Sequence, residues 1–362
     1  MGPIVLAAPG PLDARTGGYI YNRRIAEGLR HHGWPLDVLE LDSSFPYPTS
    51  AGLDHADHAL ADIRSGTIVM IDSLALGAMT HLMARERDRL HLVALVHLPL
   101  AANVGLDEHT AARFAKDEGH ALGAAALVIV TGRAALPLIA RYGVAANRIM
   151  VVEPGTDRPA QMRRARDSAA DIAAREAPLE LLCVANVNAG KGHETVLEAL
   201  AGIVHLPWRL TCAGSLTRDP VTVARVRFAV ARLQLEDRVS LVGELDGQRL
   251  ADVYDRADVF ILASERETYG MAVAEALAHG LPIVATMTGA IPELAGHDAG
   301  LLVPVRDTEA LATALARVLS DDRLRARLAD GARRRSQRLP TWDDASRRMA
   351  AALDSLGVTA HD

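Results

Sequence analysis

The sequence predicts an α/β fold built as two domains, each on a parallel sheet. Three observations support this. The chain has 362 residues, more than one core holds at about 100–200 residues per domain. Nearly half the residues are hydrophobic, yet only 4% are aromatic and alanine is abundant, a balance that suits helices packed over parallel strands better than a β-sandwich. Short apolar runs alternate with longer amphipathic stretches from the first residues onward, which is the rhythm of repeated β-α units.

In chain order, residues 3–8 open a strand, 10–18 form a glycine-bearing loop, and 19–31 read as a helix closed by Gly33. Further strands are expected at 36–41, 67–71, 92–97, 127–131 and 149–152. A second series follows at 179–184, 209–213, 239–242, 259–262, 283–285 and 300–303. Residues 156–178 lie between the series, rich in Arg, Ala and Asp and without a strand signal, so they mark the domain junction. The expected domains are 1–157 and 178–340, with a terminal helix within 341–362 packing back on the first. Two Rossmann-like domains arranged in this way would face each other across a cleft.

The net charge of -6 and a pI near 6.2 offer no footprint for a polyanion, which excludes nucleic acid as a partner class. Arg163, Arg164 and Arg166, and likewise Arg333, Arg334 and Arg335, read as solvated helix faces. Cys183 and Cys212 sit in apolar runs and read as core thiols, not as a disulfide or redox pair. The first eight residues lack the features of a signal peptide, and no apolar run approaches the ~18 residues of a membrane span. The expected compartment is the cytoplasm, and membrane association is not expected.

Open parallel sheets bind ligands beyond the carboxyl ends of their strands, so the loops there carry the functional argument. Thr16-Gly17-Gly18-Tyr19 follows the first strand, where glycines let backbone amides approach an anion at a helix N-terminus; a tight turn accounts for them equally well. Asn188-Ala189-Gly190-Lys191-Gly192-His193 sets a lysine between glycines at a strand-to-helix turn, placed to meet a diphosphate, or simply exposed there. The nucleotide-binding P-loop pattern fails, because Ala185 stands where its first glycine belongs and Gly192 where Ser or Thr would hold the metal. Glu267-Thr268-Tyr269-Gly270-Met271-Ala272-Val273-Ala274-Glu275 follows the strand at 259–262. Glu267 would precede a helix that starts near Gly270 and stops at Gly280, with Glu275 in its second turn. A capping acid and a solvated acid would explain the pair without a ligand. His97 ends an apolar strand and would face the same cleft, although a lone His is more often a satisfied structural residue.

Taken together, these pieces resemble the retaining glycosyltransferases of family 4 (glycosyltransferase group 1), whose two-domain architecture is called GT-B. Glu267 to Glu275 matches that family's E-x7-E element, and 185–192 resembles its G-R-L-x-x-x-K-G segment. Gly289-Ala290-Ile291-Pro292-Glu293 resembles its G-G-x-P-E loop, and Gly17-Gly18 its N-terminal glycine pair. The similarity runs in order along almost the whole chain. Three positions depart from the pattern: Asn186 replaces the usual Arg on the diphosphate, Ala185 a glycine, and Ala290 the second glycine of the last loop.

The resemblance implies a hexosyltransferase that retains configuration. Lys191, the amides from Thr268 to Met271 and Gly17-Gly18 would meet the diphosphate, with Asn186 beside them. Glu267 would bind donor-sugar hydroxyls, Glu275 the ribose, and Gly243 to Leu245 the base, with UDP favoured over GDP. His97 would sit near the reacting sugar and, with Tyr19, on the acceptor side; His97, Lys191 and Glu267 are the expected catalytic group. No cofactor and no metal are expected: Asp-x-Asp and His-Glu-x-x-His are both absent, and His55 and His58 lack companions for zinc. Residues 50–120 are net acidic, which points to a small soluble acceptor in place of an anionic lipid surface. The competing readings are a lipid- or polysaccharide-directed transferase, a nucleotide-sugar epimerase or hydrolase, and a non-catalytic nucleotide-sugar-binding protein.

Overall fold

The computed structural model describes residues 2–159 and 177–358. The chain divides into two compact units, Met1–Gly155 with Pro340–Asp362, and Thr156–Leu339. The Arg163, Arg164 and Arg166 cluster lies outside the described residues.

The first unit holds a six-stranded parallel sheet of β1 (Ile4–Pro9), β2 (Leu36–Leu41), β3 (Ile68–Asp72), β4 (His91–Val96), β5 (Leu127–Val130) and β6 (Ile149–Val151), in the order β2-β1-β3-β4-β5-β6. Every residue of β3 and β5 is buried, which explains why these strands read as unbroken apolar runs: a parallel sheet is covered on both faces. The helix Gly17–His31 begins two residues earlier than its hydrophobic period suggests. The Thr16 hydroxyl accepts the Tyr19 amide and starts the helix there, which places both glycines in its first turn. The terminal helix Trp342–Asp354, opened by a Thr341/Asp344 capping box, belongs to this unit. It crosses Gly17–His31 where Gly28 has no side chain; a Cβ there would lie 1.8 Å from Ser346 Oγ.

The second unit repeats the plan with β7 (Leu179–Val184), β8 (Trp208–Ala213), β9 (Val239–Gly243), β10 (Val259–Leu262), β11 (Ile283–Thr286) and β12 (Gly300–Val303), in the order β12-β11-β10-β7-β8-β9. All its neighbouring strands run parallel. Its apolar core spans the sheet and the helices on both sides, from Leu179 to Ala332. Of the Arg333 to Arg335 cluster, expected as a solvated face, Arg334 is exposed as expected, while Arg333 and Arg335 are half-buried. Arg335 bonds Asp298 and the carbonyls of Glu293 and Leu294, Arg334 pairs with Asp298, and Arg333 pairs with Asp330. The difference is physical: Gly296, at φ +54°, interrupts the helix Ile291–Ala299, and Arg335 bonds two carbonyls of the turn before the break. Among the described residues, no helix is long and apolar enough to cross a membrane.

Candidate functional site

In the second unit the strand order reverses between β7 and β10, which pair through Val259↔Leu181 and Phe260↔Leu182. Loops diverge at such a switch point and leave a crevice at the carboxyl edge of the sheet. The two loops that leave it are those carrying Lys191 and Glu267. Lys191 Nζ lies 2.5 Å from Glu267 Oε1, with the side chains 28% and 12% exposed. Ser264, fully buried at the end of β10, donates its hydroxyl to the same Oε1 at 2.9 Å. The Glu265 amide donates to the Gly190 carbonyl at 2.9 Å, so the two loops are also joined through their backbones.

Two glycines allow this approach. Gly192 (φ +67°) lies so close to the other loop that a Cβ would stand 2.1 Å from the Ala263 carbonyl oxygen. Gly289 (φ +52°) backs the acid itself, since a Cβ there would stand 1.3 Å from the Glu267 carbonyl oxygen. Thr288 bonds the Glu265 carbonyl at 2.9 Å, and Thr286 bonds that of Ser264 at 2.5 Å. The loop from β11 thus holds the Glu267 loop from behind.

Gly270 (φ +95°) turns the chain into the helix Met271–Ala278 with no side-chain cap, leaving its first amides without one. Thr268 is half-buried and Tyr269 buried beside it. Glu275 lies in the second turn of this helix, where Tyr254 donates to its Oε2 at 2.9 Å. Burial pushes the Glu275 carboxyl up to about 7, against the Tyr254 hydrogen bond, and nearby Asp157 adds to the rise. The Asn186 side chain accepts the Ser215 amide at 2.9 Å, so it braces the loop after β8. Gly243 (φ +74°) ends β9 and gives its carbonyl to the Gly214 amide, with half-buried Leu245 just beyond.

The first unit has its own cluster. His97 follows β4 directly, 19% exposed, with Nε2 3.0 Å from Asn22 Oδ1 and 3.3 Å from Asp72 Oδ2. Asn22 in turn donates to Asp72 Oδ2 at 2.6 Å, and the Leu74 amide donates to Oδ1. Burial favours the neutral form of Asp72, yet the bond and charge of His97, with the Leu74 amide and Asn22, outweigh it and hold the carboxyl below the usual range. Gly18 packs on the imidazole, where a Cβ would lie 3.1 Å from Cδ2, and Tyr21 meets the ring edge-on at 5.3 Å. Gly17 is exposed. Tyr19, expected toward an acceptor, is buried with its hydroxyl bonded to the Pro9 carbonyl.

Asn22, Asp72, Ser264, Tyr254 and Thr288 were not singled out in the sequence. Asp72 had a signal: it ends an apolar strand run, the same sign that marked His97. Asn22 and Ser264 had none, because a small polar residue shows its partner only in three dimensions.

Two doubly wound α/β units, one carrying an ion pair at its switch point and the other a His-Asp-Asn cluster, define the general class of a Rossmann-like α/β protein. The particular family comes from comparison. Residues 166–335 match the family model described as Glycosyl transferases group 1, which bears out the resemblance read from the sequence. A D-inositol 3-phosphate glycosyltransferase of Xylanimonas cellulosilytica is 36% identical over 240 residues, 63% of this chain and 56% of that protein. An N-acetyl-alpha-D-glucosaminyl L-malate synthase of Bacillus anthracis is 32% identical over 155 residues, 42% of this chain and 39% of that one. The chain therefore spans about half, or less, of the length of these curated relatives. Among solved structures, a sucrose-phosphate synthase of Thermosynechococcus elongatus matches with a TM-score of 0.82 at 22% identity, over 99% of this chain and 100% of that one. Anabaena HepE in complex with UDP and glucose matches at 0.76 and 18%, over 98% and 100%. These likenesses establish the fold, two Rossmann-like domains of the GT-B kind.

Proposed function

We propose that this chain is a glycosyltransferase that moves a hexosyl group from a nucleoside diphosphate sugar, UDP in preference to GDP, to a hydroxyl of a small soluble acceptor, with retention and without a catalytic metal. The observation that carries the reading is the Lys191–Glu267 pair at the β7/β10 switch point, inside the stretch matched by the family.

In the transfer, the bond from the anomeric carbon to the diphosphate oxygen breaks, the bond to the acceptor oxygen forms, and the acceptor's proton leaves on the departing diphosphate. Negative charge grows on that diphosphate, so fixed positive groups lower the barrier without reorganising. Lys191 and the uncapped amides at the start of Met271–Ala278 supply them. Glu267 is paired with Lys191; a diphosphate would take over the lysine and leave the carboxylate to sugar hydroxyls. Glu275, with Tyr254 behind it, takes the ribose. His97, oriented by Asp72 and Asn22, is the first unit's group for the acceptor side.

The relatives named for D-inositol 3-phosphate favour a small soluble acceptor. The charge of residues 50–120 agrees: the region is net acidic, and within its densest basic run Arg85 is paired with Asp57 and Glu86, Arg89 with Glu86 and Arg87 with Asp88. The test is nucleotide release from UDP-hexoses and GDP-hexoses with and without polyol-phosphate acceptors. Acceptor-dependent UDP release is expected. Release without acceptor indicates a hydrolase, and donor binding without release indicates a non-catalytic protein.

A further inference from the structure

We propose that Cys183, Cys212 and His193 form a Zn²⁺ site beneath the loop that carries Lys191, with no part in the transfer itself. Cys183 and Cys212 are direct partners in the β7/β8 register, so both side chains leave the same face of the sheet. His193 opens the helix His193–Ala201, two residues after Lys191. Its Nε2 lies 3.9 Å from Cys183 Sγ, and one ligand atom from each of the three residues lies within 4.8 Å of the others. Zn–S near 2.3 Å and Zn–N near 2.0–2.1 Å put sulfur and nitrogen on a shared ion about 3.6–3.8 Å apart, close to that spacing.

Burial and charge narrow the occupant. The three residues are 0%, 4% and 3% exposed, and both thiols are free. His193 turns Nε2 toward Cys183 Sγ, the ring nitrogen a shared ion would take. Two thiolates and a divalent cation sum to zero charge, the least costly ionic combination to bury; a monovalent soft cation would leave a net negative charge. Hard cations such as Mg²⁺ prefer oxygen ligands. On binding, each thiol releases one proton to solvent, two S–Zn bonds and one N–Zn bond form, and no electron is transferred. The three side chains supply three of the four positions of a tetrahedral zinc site. The ion would join β7, β8 and the helix behind Lys191, fixing the base of the loop.

The full chain is produced in zinc-supplemented medium and analysed by elemental analysis and native mass spectrometry. One zinc per chain is expected, falling below a tenth of an equivalent in the Cys183→Ser/Cys212→Ser double variant. Should that variant fold poorly, Co²⁺ substitution in the unaltered protein gives an independent reading, with thiolate charge-transfer bands in the near ultraviolet expected. Zinc-free protein, zinc kept by a folded double variant, a Co²⁺ spectrum without thiolate bands, or an ion-free mass two hydrogens lighter from a disulfide would each overturn the proposal.

Discussion

Gly289→Ala tests whether the position of Glu267 governs activity. The new Cβ would lie 1.3 Å from the Glu267 carbonyl oxygen and 2.4 Å from its carbon, and the residue sits at φ +52°. A carbon–oxygen contact relaxes only near 3.3–3.6 Å, so the two backbones must part by about 2 Å. The left-handed conformation adds roughly 1–2 kcal/mol for a residue with a Cβ. At roughly 2–4 °C per kcal/mol for a domain of this size, the strain alone lowers Tm by about 2–8 °C. Misplacing a reacting group by ~1 Å can cost on the order of 10²-fold in rate, so turnover should fall at least that far while the fold survives. Gly66→Ala is the control. It carries the same conformational strain (φ +81°) with nothing within 4 Å of the new Cβ, so stability should fall with little change in rate. Initial rates of UDP release and thermal melts of both variants provide the comparison. A Gly289→Ala enzyme within a few-fold of the parent rate would refute the reasoning.

Lys191→Ala should lower kcat by about 10²–10³-fold through lost charge stabilisation, with an unchanged circular dichroism spectrum; parent-like turnover would remove the mechanism. Glu275, whose carboxyl is pushed up to about 7 from 4.5, keeps its proton in the folded state while the unfolded chain loses it, so it lowers stability progressively as pH rises from about 4.5 to 7 and levels off above. At about 1.36 kcal/mol per pKa unit the upper bound is ~3 kcal/mol, and Glu275→Gln should flatten this slope in urea melts run from pH 5 to 8; an unaltered slope counts against the buried-acid assignment. Transfer should need no added Mn²⁺ or Mg²⁺ and be indifferent to chelation of both. A rate that appears only on adding either cation would contradict the metal-free proposal.

Much of this protein was legible from one-dimensional pattern. Among the described residues all twelve strands fell on the runs expected for them; inner strands such as β3, β5 and β10 are buried at every residue and apolar almost throughout, while the edge strands β2 and β9 carry exposed residues. The glycine-flanked Lys191 and the Glu267/Glu275 pair stood out because loops at strand ends, unlike core positions, need specific chemistry. Other readings needed the coordinates. Tyr19 was expected toward an acceptor, but its hydroxyl is bonded to the Pro9 carbonyl inside the first unit. Asn186 was expected beside the diphosphate, and its side-chain oxygen is held by the Ser215 amide. Arg333 to Arg335 looked solvated, yet Arg335 bonds Asp298 and the backbone of a neighbouring helix.

The sequence by itself determined the class of fold, the order of strands and helices, and which strand-end loops carry charge, since hydrophobic period, capping residues and glycine placement act over a few neighbours. Only the tertiary structure decided which charges meet. Lys191 and Glu267 are 76 residues apart in sequence and 2.5 Å apart in space; Asn22, Asp72 and His97 come from three separate elements; and Cys183, Cys212 and His193 converge only through strand register. The physical reason is that sheet order and the close backbone contacts at Gly192 and Gly289 are set by long-range packing, and no local stretch of sequence carries that information.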